Sequence, residues 1–182
     1  MIVALVIGHE KDKPGACNED FVICEYEFNK KLTCAVQEHL AETTDFCVMR
    51  VFRRTDYSNL PNEINELNPD LILSFHANAF NKEVSGTEVI YFHNSVKGKK
   101  CSEVIQNKIL KALGLRDRGV IGRSRLQAGG HLLSNTRGVC LILEPFFIDN
   151  NCDYLTAQAN LSKLALAISS GIEDCKNIIF NN

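Results

Sequence analysis

The sequence lacks a long apolar run, and it lacks an excess of positive charge. No stretch approaches the roughly 18 consecutive apolar residues of a membrane-spanning helix, so we expect no stable membrane association. The formal net charge is −2, whereas a nucleic-acid-binding protein usually has a broad basic surface. Nucleic acid is therefore not an expected partner.

The start of the chain also lacks the marks of a secretory leader. The opening MIVALVIGHE has no basic segment ahead of its apolar residues and no cleavage site. We therefore expect the protein to be synthesised in the cytoplasm without a signal peptide.

The eight cysteines lack any C-x-x-C pair. In a small secreted chain this many cysteines would indicate disulfides, but here they are scattered and several lie in apolar runs. We therefore predict buried, reduced thiols at Cys17, Cys24, Cys34, Cys47, Cys101, Cys140, Cys152 and Cys175.

Size and composition are those of one globular domain. The chain has 182 residues, of which 45% are hydrophobic and 23% charged, which is enough apolar material for a core without a partner. No repeat, low-complexity tract or Ser/Gly/Pro-rich linker is present. We predict a single domain over 1–182, with no second module and with a monomer as the default state.

Apolar runs and amphipathic segments alternate along the chain. The runs 2–7, 46–51, 71–75 and 139–143 predict buried strands, and the alternating segment 87–92 predicts a fifth. Helical patterns cover 25–41, 60–67, 96–113 and 153–172. This alternation favours a mostly parallel central sheet with helices on both faces, so we predict a three-layer α/β domain.

The segment 119–137 contains four glycines and several charges, and it predicts a long functional or mobile loop. Four arginines lie in or beside it, and two interpretations remain open for them: an anion site or a solvated loop. The four are Arg116, Arg118, Arg123 and Arg125.

Three side chains that bind metals or transfer protons directly follow predicted strands. Gly8 and His9 follow the strand 2–7, His76 follows 71–75, and Glu144 follows 139–143. In open α/β sheets the ligand site lies beyond the carboxyl ends of the strands. We therefore expect these side chains to lie at the same edge of the sheet.

A fourth side chain is expected from a helix that begins at that edge. Glu25 lies three positions before Phe28 and seven before Leu32, which places it on the apolar stripe of its helix, where an unpaired carboxylate is unfavourable. Glu27 instead has Lys30 three positions later, which is typical of a solvated pair. The pattern favours Glu25 as the inward carboxylate.

Two imidazoles and one carboxylate are typical of a catalytic zinc site, which keeps one position open. We predict that His9, Glu25 and His76 bind one Zn²⁺ and that Glu144 passes a proton from activated water to the leaving nitrogen. Each residue alone has a simpler interpretation: a strand-end histidine is usually hydrogen-bonded, and Glu144 could cap the turn at Pro145. The same ligands also accept other divalent ions.

At these residues the sequence resembles zinc-dependent N-acetylmuramoyl-L-alanine amidases, including phage endolysins and bacterial cell-wall amidases. VIGHEKDKPGA, CEYEFNKKL, LILSFHANA, SGTEVIYF and CLILEPFFIDN occur in the family's order and approximate spacing. The resemblance implies hydrolysis of the amide between N-acetylmuramic acid and L-alanine in peptidoglycan. It implies His9, Glu25 and His76 as zinc ligands and Glu144 as the catalytic acid/base.

The sequence departs from that family in some features. Many relatives have a second glycine after the Gly-His pair, whereas Glu10 and Lys11 follow here. Many also have a signal peptide, a regulatory helix or a wall-binding domain, and none is evident. A lone catalytic domain looks most like an endolysin that reaches the wall through a membrane lesion.

Two further residues are weaker candidates for substrate binding. Asn78 either shapes the pocket through its amide or forms a turn, and His131 either lines a substrate groove or is an ordinary loop residue. Two alternatives to the amidase also remain: a zinc peptidase acting on another wall peptide bond, and a metal-containing module that binds peptidoglycan without cutting it.

Overall fold

The computed structural model describes residues 1–54 and 56–181; Thr55 and Asn182, which belong to the predicted domain of 1–182, lie outside the described residues. Within the described residues, six strands form one sheet and two form a short hairpin. The sheet strands are β1 (Ile2–Ile7), β4 (Cys47–Val51), β5 (Leu71–Phe75), β6 (Thr87–Phe92), β7 (Asp117–Arg123) and β8 (Val139–Glu144). The hairpin strands are β2 (Cys17–Asn18) and β3 (Ile23–Cys24).

The strand order in the sheet is β4-β1-β5-β8-β6-β7. The first four strands are parallel to one another, whereas β6 is antiparallel to β8 and parallel to β7. The carboxyl ends of β4, β1, β5 and β8 therefore meet at one edge, where the amino ends of β6 and β7 also lie. This arrangement confirms the predicted mostly parallel sheet.

Helices cover both faces of the sheet, which confirms the three-layer α/β fold. They are α1 (Glu25–Thr43), α2 (Leu60–Glu66), α3 (Val96–Leu113), α4 (Gly130–Asn135), α5 (Asn151–Ala159) and α6 (Leu161–Phe180), with a 3₁₀ turn at Tyr57–Asn59. A serine cap and a glycine determine where α3 begins and ends. The Ser95 hydroxyl accepts a hydrogen bond from the Gly98 N–H at 2.9 Å, and Gly114 stops the helix with a φ of 67°.

The two faces of the sheet carry separate cores. α1, α3 and α6 cover the larger core, which includes Phe28, Ile105 and Ile168. α2 and α4 cover the smaller core on the opposite face, which includes Ile64 and Leu132. Residues 3–7 of β1 are each at most 1% exposed because both faces are covered, and this explains their uninterrupted apolar run.

The prediction of one long loop over 119–137 was wrong at both ends. Residues up to Arg123 belong to β7, and Gly130–Asn135 form α4. β7 lies at the edge of the sheet, where charged residues and glycine are tolerated. The strand contains no apolar run, because it begins with the charged residues Asp117 and Arg118 and with Gly119.

The single helix predicted over 153–172 is two helices that meet at Asn160. The Asn160 side-chain N–H donates to the Thr156 carbonyl at 2.9 Å. Asparagine competes in this way for backbone groups of the preceding turn, which favours a break in the helix.

The prediction that all cysteines are reduced was wrong for one pair. Cys17 and Cys24 form a disulfide across the β2–β3 hairpin, where they are paired residues with Cα atoms 4.0 Å apart. Cys101, Cys140 and Cys175 are buried free thiols as predicted, whereas the predicted burial was wrong for Cys34, which is half-buried, and for Cys47 and Cys152, which are exposed. Spacing in the sequence gave no sign of the pairing, because two-residue strands have no detectable pattern.

None of the described helices is long and apolar enough to cross a lipid bilayer.

Candidate active site

His9 lies just beyond the carboxyl end of β1, in a backbone conformation that fixes its direction. Its φ is 66°, in the left-handed region, which histidine adopts more readily than most residues with a Cβ. Gly8 precedes it, and a Cβ there would collide with the Phe75 carbonyl oxygen and lie 2.7 Å from Cε1 of His76. Only glycine allows the two histidine-bearing segments to approach this closely.

His76 follows β5, and its backbone continues the sheet. Its N–H donates to the Leu143 carbonyl of β8 at 3.0 Å, while the Gly8 N–H donates to the Phe75 carbonyl at 2.9 Å. The rings of His9 and His76 are 5.0 Å apart between centroids and inclined at 74°. The parallel pairing of β1, β5 and β8 thus brings both imidazoles to one point of the edge.

Glu25 is the first residue of α1 and is only 5% exposed. Its Oε1 accepts a hydrogen bond from the Ala16 N–H at 2.8 Å, and its Oε2 accepts one from the Ala77 N–H at 3.1 Å. The Glu25 N–H in turn donates to the Ala16 carbonyl at 2.9 Å. Backbone groups from the loop before the β2–β3 hairpin and from the end of β5 therefore hold the carboxylate in place.

The ring nitrogens of both histidines face one oxygen of this carboxylate. His9 Nε2 lies 3.2 Å and His76 Nδ1 lies 3.4 Å from Glu25 Oε2, and the three donor atoms all lie within 4.8 Å of one another. Two ligands at about 2.0–2.1 Å from a tetrahedral zinc ion are separated by about 3.3–3.4 Å. The spacing and the nitrogen and oxygen donors therefore fit a single zinc ion.

The charge of Glu25 also fits a cation. Burial raises the pKa of Glu25. Hydrogen bonds from His76 and His9 and the positive charge of the two rings lower it by more, so the resulting pKa is about 2. The buried carboxylate thus stays ionised and needs a positive neighbour. A divalent ion would supply that charge while both imidazoles remain neutral.

Glu144 ends β8 beside this cluster. Its Oε2 is fully enclosed and has no hydrogen-bond partner within the described part of the chain. Burial raises the pKa of Glu144 well above its usual range, the negative charges of Glu25 and Glu88 raise it further, and Arg123 opposes them. A buried carboxyl group beside a candidate metal site is a candidate for proton exchange with a ligand there.

A cavity of about 320 Å³ opens beside these groups, on the sheet face covered by α2 and α4. Apolar side chains such as Val6, Ile90, Ile142 and Leu132 form much of its wall. Its polar lining comprises His9, Arg53, Tyr57, Ser74, His76, Arg123 and Glu144. The cavity combines apolar walls with a few convergent polar groups, as small-molecule and peptide sites commonly do.

The structure brings His9, Glu25, His76 and Glu144 together but leaves the two weaker candidates outside this cavity. Asn78 Oδ1 accepts a hydrogen bond from the Ala79 N–H at 3.0 Å, and Asn78 lines a separate cavity of about 270 Å³. His131 lies in α4 rather than in a loop, and its Nε2 is 3.0 Å from the Ser58 carbonyl oxygen.

Two charged residues near the site, Arg53 and Glu88, were missed from the sequence, and Arg123 was named only as part of the arginine-rich segment. Arg53 follows β4, so the strand-end rule that selected the histidines could have found it. Glu88 lies at the start of β6, and Arg123 at the end of β7. The position of Glu88 depends on the reversed direction of β6, and that of Arg123 depends on the edge strand β7; the sequence pattern reveals neither.

A family model described as N-acetylmuramoyl-L-alanine amidase matches residues 3–174 of the chain. No curated protein sequence gives a significant match.

Solved structures share the fold over nearly the whole chain. The catalytic domain of CwlV, an amidase from Bacillus (Paenibacillus) polymyxa var. colistinus, has a TM-score of 0.83 and 21% identity, over 97% of this chain and 98% of that one. An N-acetylmuramoyl-L-alanine amidase from Clostridium difficile 630 has a TM-score of 0.85 and 17% identity, over 100% and 98%. The catalytic domain of the CD27L endolysin, which targets Clostridium difficile, has a TM-score of 0.82 and 24% identity, over 96% and 97%.

Proposed function

Since the chain belongs to the N-acetylmuramoyl-L-alanine amidase family, we propose that His9, Glu25 and His76 hold its zinc ion and that Glu144 is its catalytic acid/base. An enzyme of this family hydrolyses the amide between the lactyl group of N-acetylmuramic acid and L-alanine in peptidoglycan. The reaction separates the glycan from the stem peptide.

The metal assignment rests on one observation, which is that three donor atoms lie close enough together to bind one ion. His9 Nε2 and His76 Nδ1 lie 3.2 and 3.4 Å from the same Glu25 oxygen, at the separation expected for ligands of one tetrahedral ion. When bound, zinc acts as a Lewis acid towards water and towards an amide carbonyl group. Three protein ligands leave a position for those reactants.

Glu144 supplies the proton transfer. In its carboxylate form it accepts a proton from the attacking water, and in its acid form it returns that proton to the amide nitrogen of L-alanine as the bond breaks. Its enclosed Oε2, which has no hydrogen-bond partner among the described residues, and its raised pKa support this exchange.

The backbone prepares the site before substrate arrives. The Ala16 and Ala77 N–H groups fix both oxygens of Glu25, so the ligand carboxylate does not need to reorient when a metal or substrate binds. Gly8 and Gly15 permit the close contacts around it, since a Cβ at Gly15 would lie 2.6 Å from Cδ2 of His9.

We further propose that the enzyme acts at the cell wall in a lytic role. Peptidoglycan is the substrate of its family, and the fold likeness to the CD27L endolysin catalytic domain supports such a role. Addition of the purified protein to isolated walls should lower their turbidity, and Glu144→Gln should not.

Product analysis tests the function directly. The zinc-loaded protein should release new L-alanine amino termini from peptidoglycan, and mass spectrometry should identify intact stem peptides. Glu144→Gln should lose about 10²–10⁴-fold in rate and keep its zinc. Cleavage at another peptide bond would instead identify a peptidase, and tight binding of walls without products would identify a binding module.

A further inference from the structure

Two guanidinium groups line the cavity beside the candidate metal site, and they differ in whether a carboxylate lies nearby. Arg53 Nη2 lies 2.8 Å from Glu10 Oε1, so its charge is compensated. Arg123 has no carboxylate within 4.0 Å among residues 1–54 and 56–181. Within the described residues, the wall of the cavity thus carries one guanidinium group that forms no ion pair.

Arg123 shares the cavity with the reacting groups. Its side chain lines the same cavity as His9, His76 and Glu144, and its positive charge acts against the raised pKa of Glu144. Arg123 Nη1 donates to the Ala128 carbonyl at 2.8 Å. This hydrogen bond anchors the guanidinium group but uses only one of its five N–H donors, so other donors remain for a ligand.

Its neighbours in the arginine-rich segment have other positions. Arg118 Nε lies 2.8 Å from Glu88 Oε2, and the Arg125 side chain is exposed. Of the two interpretations that the sequence left open, the solvated one suits Arg125, whereas Arg123 has the surroundings of an anion site.

The substrate of a muramoyl-L-alanine amidase carries an anion at a suitable place. The residue after L-alanine in the stem is a D-glutamate linked through its γ-carboxyl group, so its α-carboxyl group is either free or amidated. One residue of backbone, about 3.8 Å, separates it from L-alanine. A cavity of about 320 Å³ is at the small end of the range for ligand pockets and suits a short peptide.

We infer that Arg123 is a specificity-determining residue that binds the free α-carboxylate of this second stem residue. The inference rests on the proposed amidase function. Arginine forms paired, charge-assisted hydrogen bonds with a carboxylate. An amide at the same place lacks the negative charge, so the enzyme discriminates against stems amidated there.

Two synthetic substrates that differ in this group provide the test. They are N-acetylmuramoyl-L-alanyl-D-isoglutamate and its amide, N-acetylmuramoyl-L-alanyl-D-isoglutamine. The zinc-loaded wild type should have a kcat/KM at least about tenfold higher for the carboxylate. Arg123→Gln should abolish this preference, because it should lower kcat/KM for the carboxylate about tenfold more than for the amide. Arg125→Gln, the matched control, should change neither.

A purely structural role for Arg123 predicts a different result, an equal loss on both substrates, and that result would overturn the inference. Equal rates of the wild type on both substrates would also overturn it while leaving the amidase function intact. If the wild type cleaves neither substrate, the proposed function itself fails and the inference falls with it. Arg123→Lys keeps the charge and should retain part of the preference, which guards against a folding defect in Arg123→Gln.

Discussion

Glu88 and Glu144 lie directly opposite each other on the antiparallel strands β6 and β8. Paired residues of an antiparallel ladder project to the same face of the sheet. Both carboxyl groups therefore lie on the face that bears the cavity. Glu88 is buried and paired with Arg118 at 2.8 Å. After burial and Glu25, its negative charge is the next cause of the raised pKa of Glu144.

Removal of that charge should change the pH dependence of catalysis. In Glu88→Gln the pKa of Glu144 should fall, since a like charge is lost and Arg118 loses its partner. The limb of the kcat/KM profile that reports Glu144 should therefore move to lower pH. Glu103→Gln, on the exposed side of α3, should leave the profile unchanged, and an unmoved profile in Glu88→Gln would refute the coupling.

Glu25 should make the metal-free protein sensitive to acid. Its folded pKa of about 2 lies below its ordinary value of 4.5, so its stabilisation is complete above about pH 4.5 and is lost as pH falls towards 2. The shift corresponds to at most about 3 kcal/mol. Urea unfolding near pH 5 should find wild type more stable than Glu25→Gln, with the difference closing in acid.

The exposed Glu27 provides the control for this measurement. Glu27→Gln should match the wild type at every pH, since its carboxyl group is exposed. A stability difference between wild type and Glu25→Gln that did not change with pH would contradict the low pKa of Glu25.

Alanine substitutions at Gly15 and Gly119 distinguish the effect of backbone strain from the effect of a steric clash with the metal site. Their φ values are 82° and 85°, so alanine is similarly strained at both, by about 1 kcal/mol. A Cβ at Gly15 would lie 2.6 Å from His9 Cδ2 and 2.8 Å from Glu25 Oε1, whereas one at Gly119 would meet no atom of the described residues within 4 Å. Gly15→Ala should therefore weaken zinc binding well beyond Gly119→Ala; equal affinities in a zinc titration would contradict this.

The disulfide between Cys17 and Cys24 should stabilise the segment that presents Glu25. Cys24 immediately precedes Glu25, and Cys17 follows Ala16, which binds its carboxylate. Replacement of both cysteines by serine should lower the free energy of unfolding by about 2 kcal/mol for a loop of this size and weaken zinc binding. Cys152→Ser, at an exposed free thiol, should do neither; unchanged zinc affinity in the double variant would refute the link.

Much of the site was predictable because its residues obey one rule of position. β1, β5 and β8 are parallel and buried on both faces, so their apolar runs are clear in the sequence and their ends meet at one edge. His9, His76 and Glu144 follow from that rule. Glu25 follows from a different signal, a carboxylate on the apolar stripe of a helix.

The remaining features depend on relations that a one-dimensional pattern does not contain. The direction of β6 determines that Glu88, at its start, faces the site, whereas His93, after its end, does not. β7 is an edge strand with few apolar residues, and without it the location of Arg123 could not be inferred. The Cys17–Cys24 pairing depends on a hairpin whose strands have two residues each.

Zinc titration of the metal-free protein tests the central claim most directly. Isothermal titration calorimetry should find one equivalent bound by the wild type and by Glu144→Gln, and none bound tightly by His76→Ala. His93→Ala, at an exposed histidine, should bind like the wild type. Full zinc affinity in His76→Ala would contradict the claim that His9, Glu25 and His76 share a single metal ion.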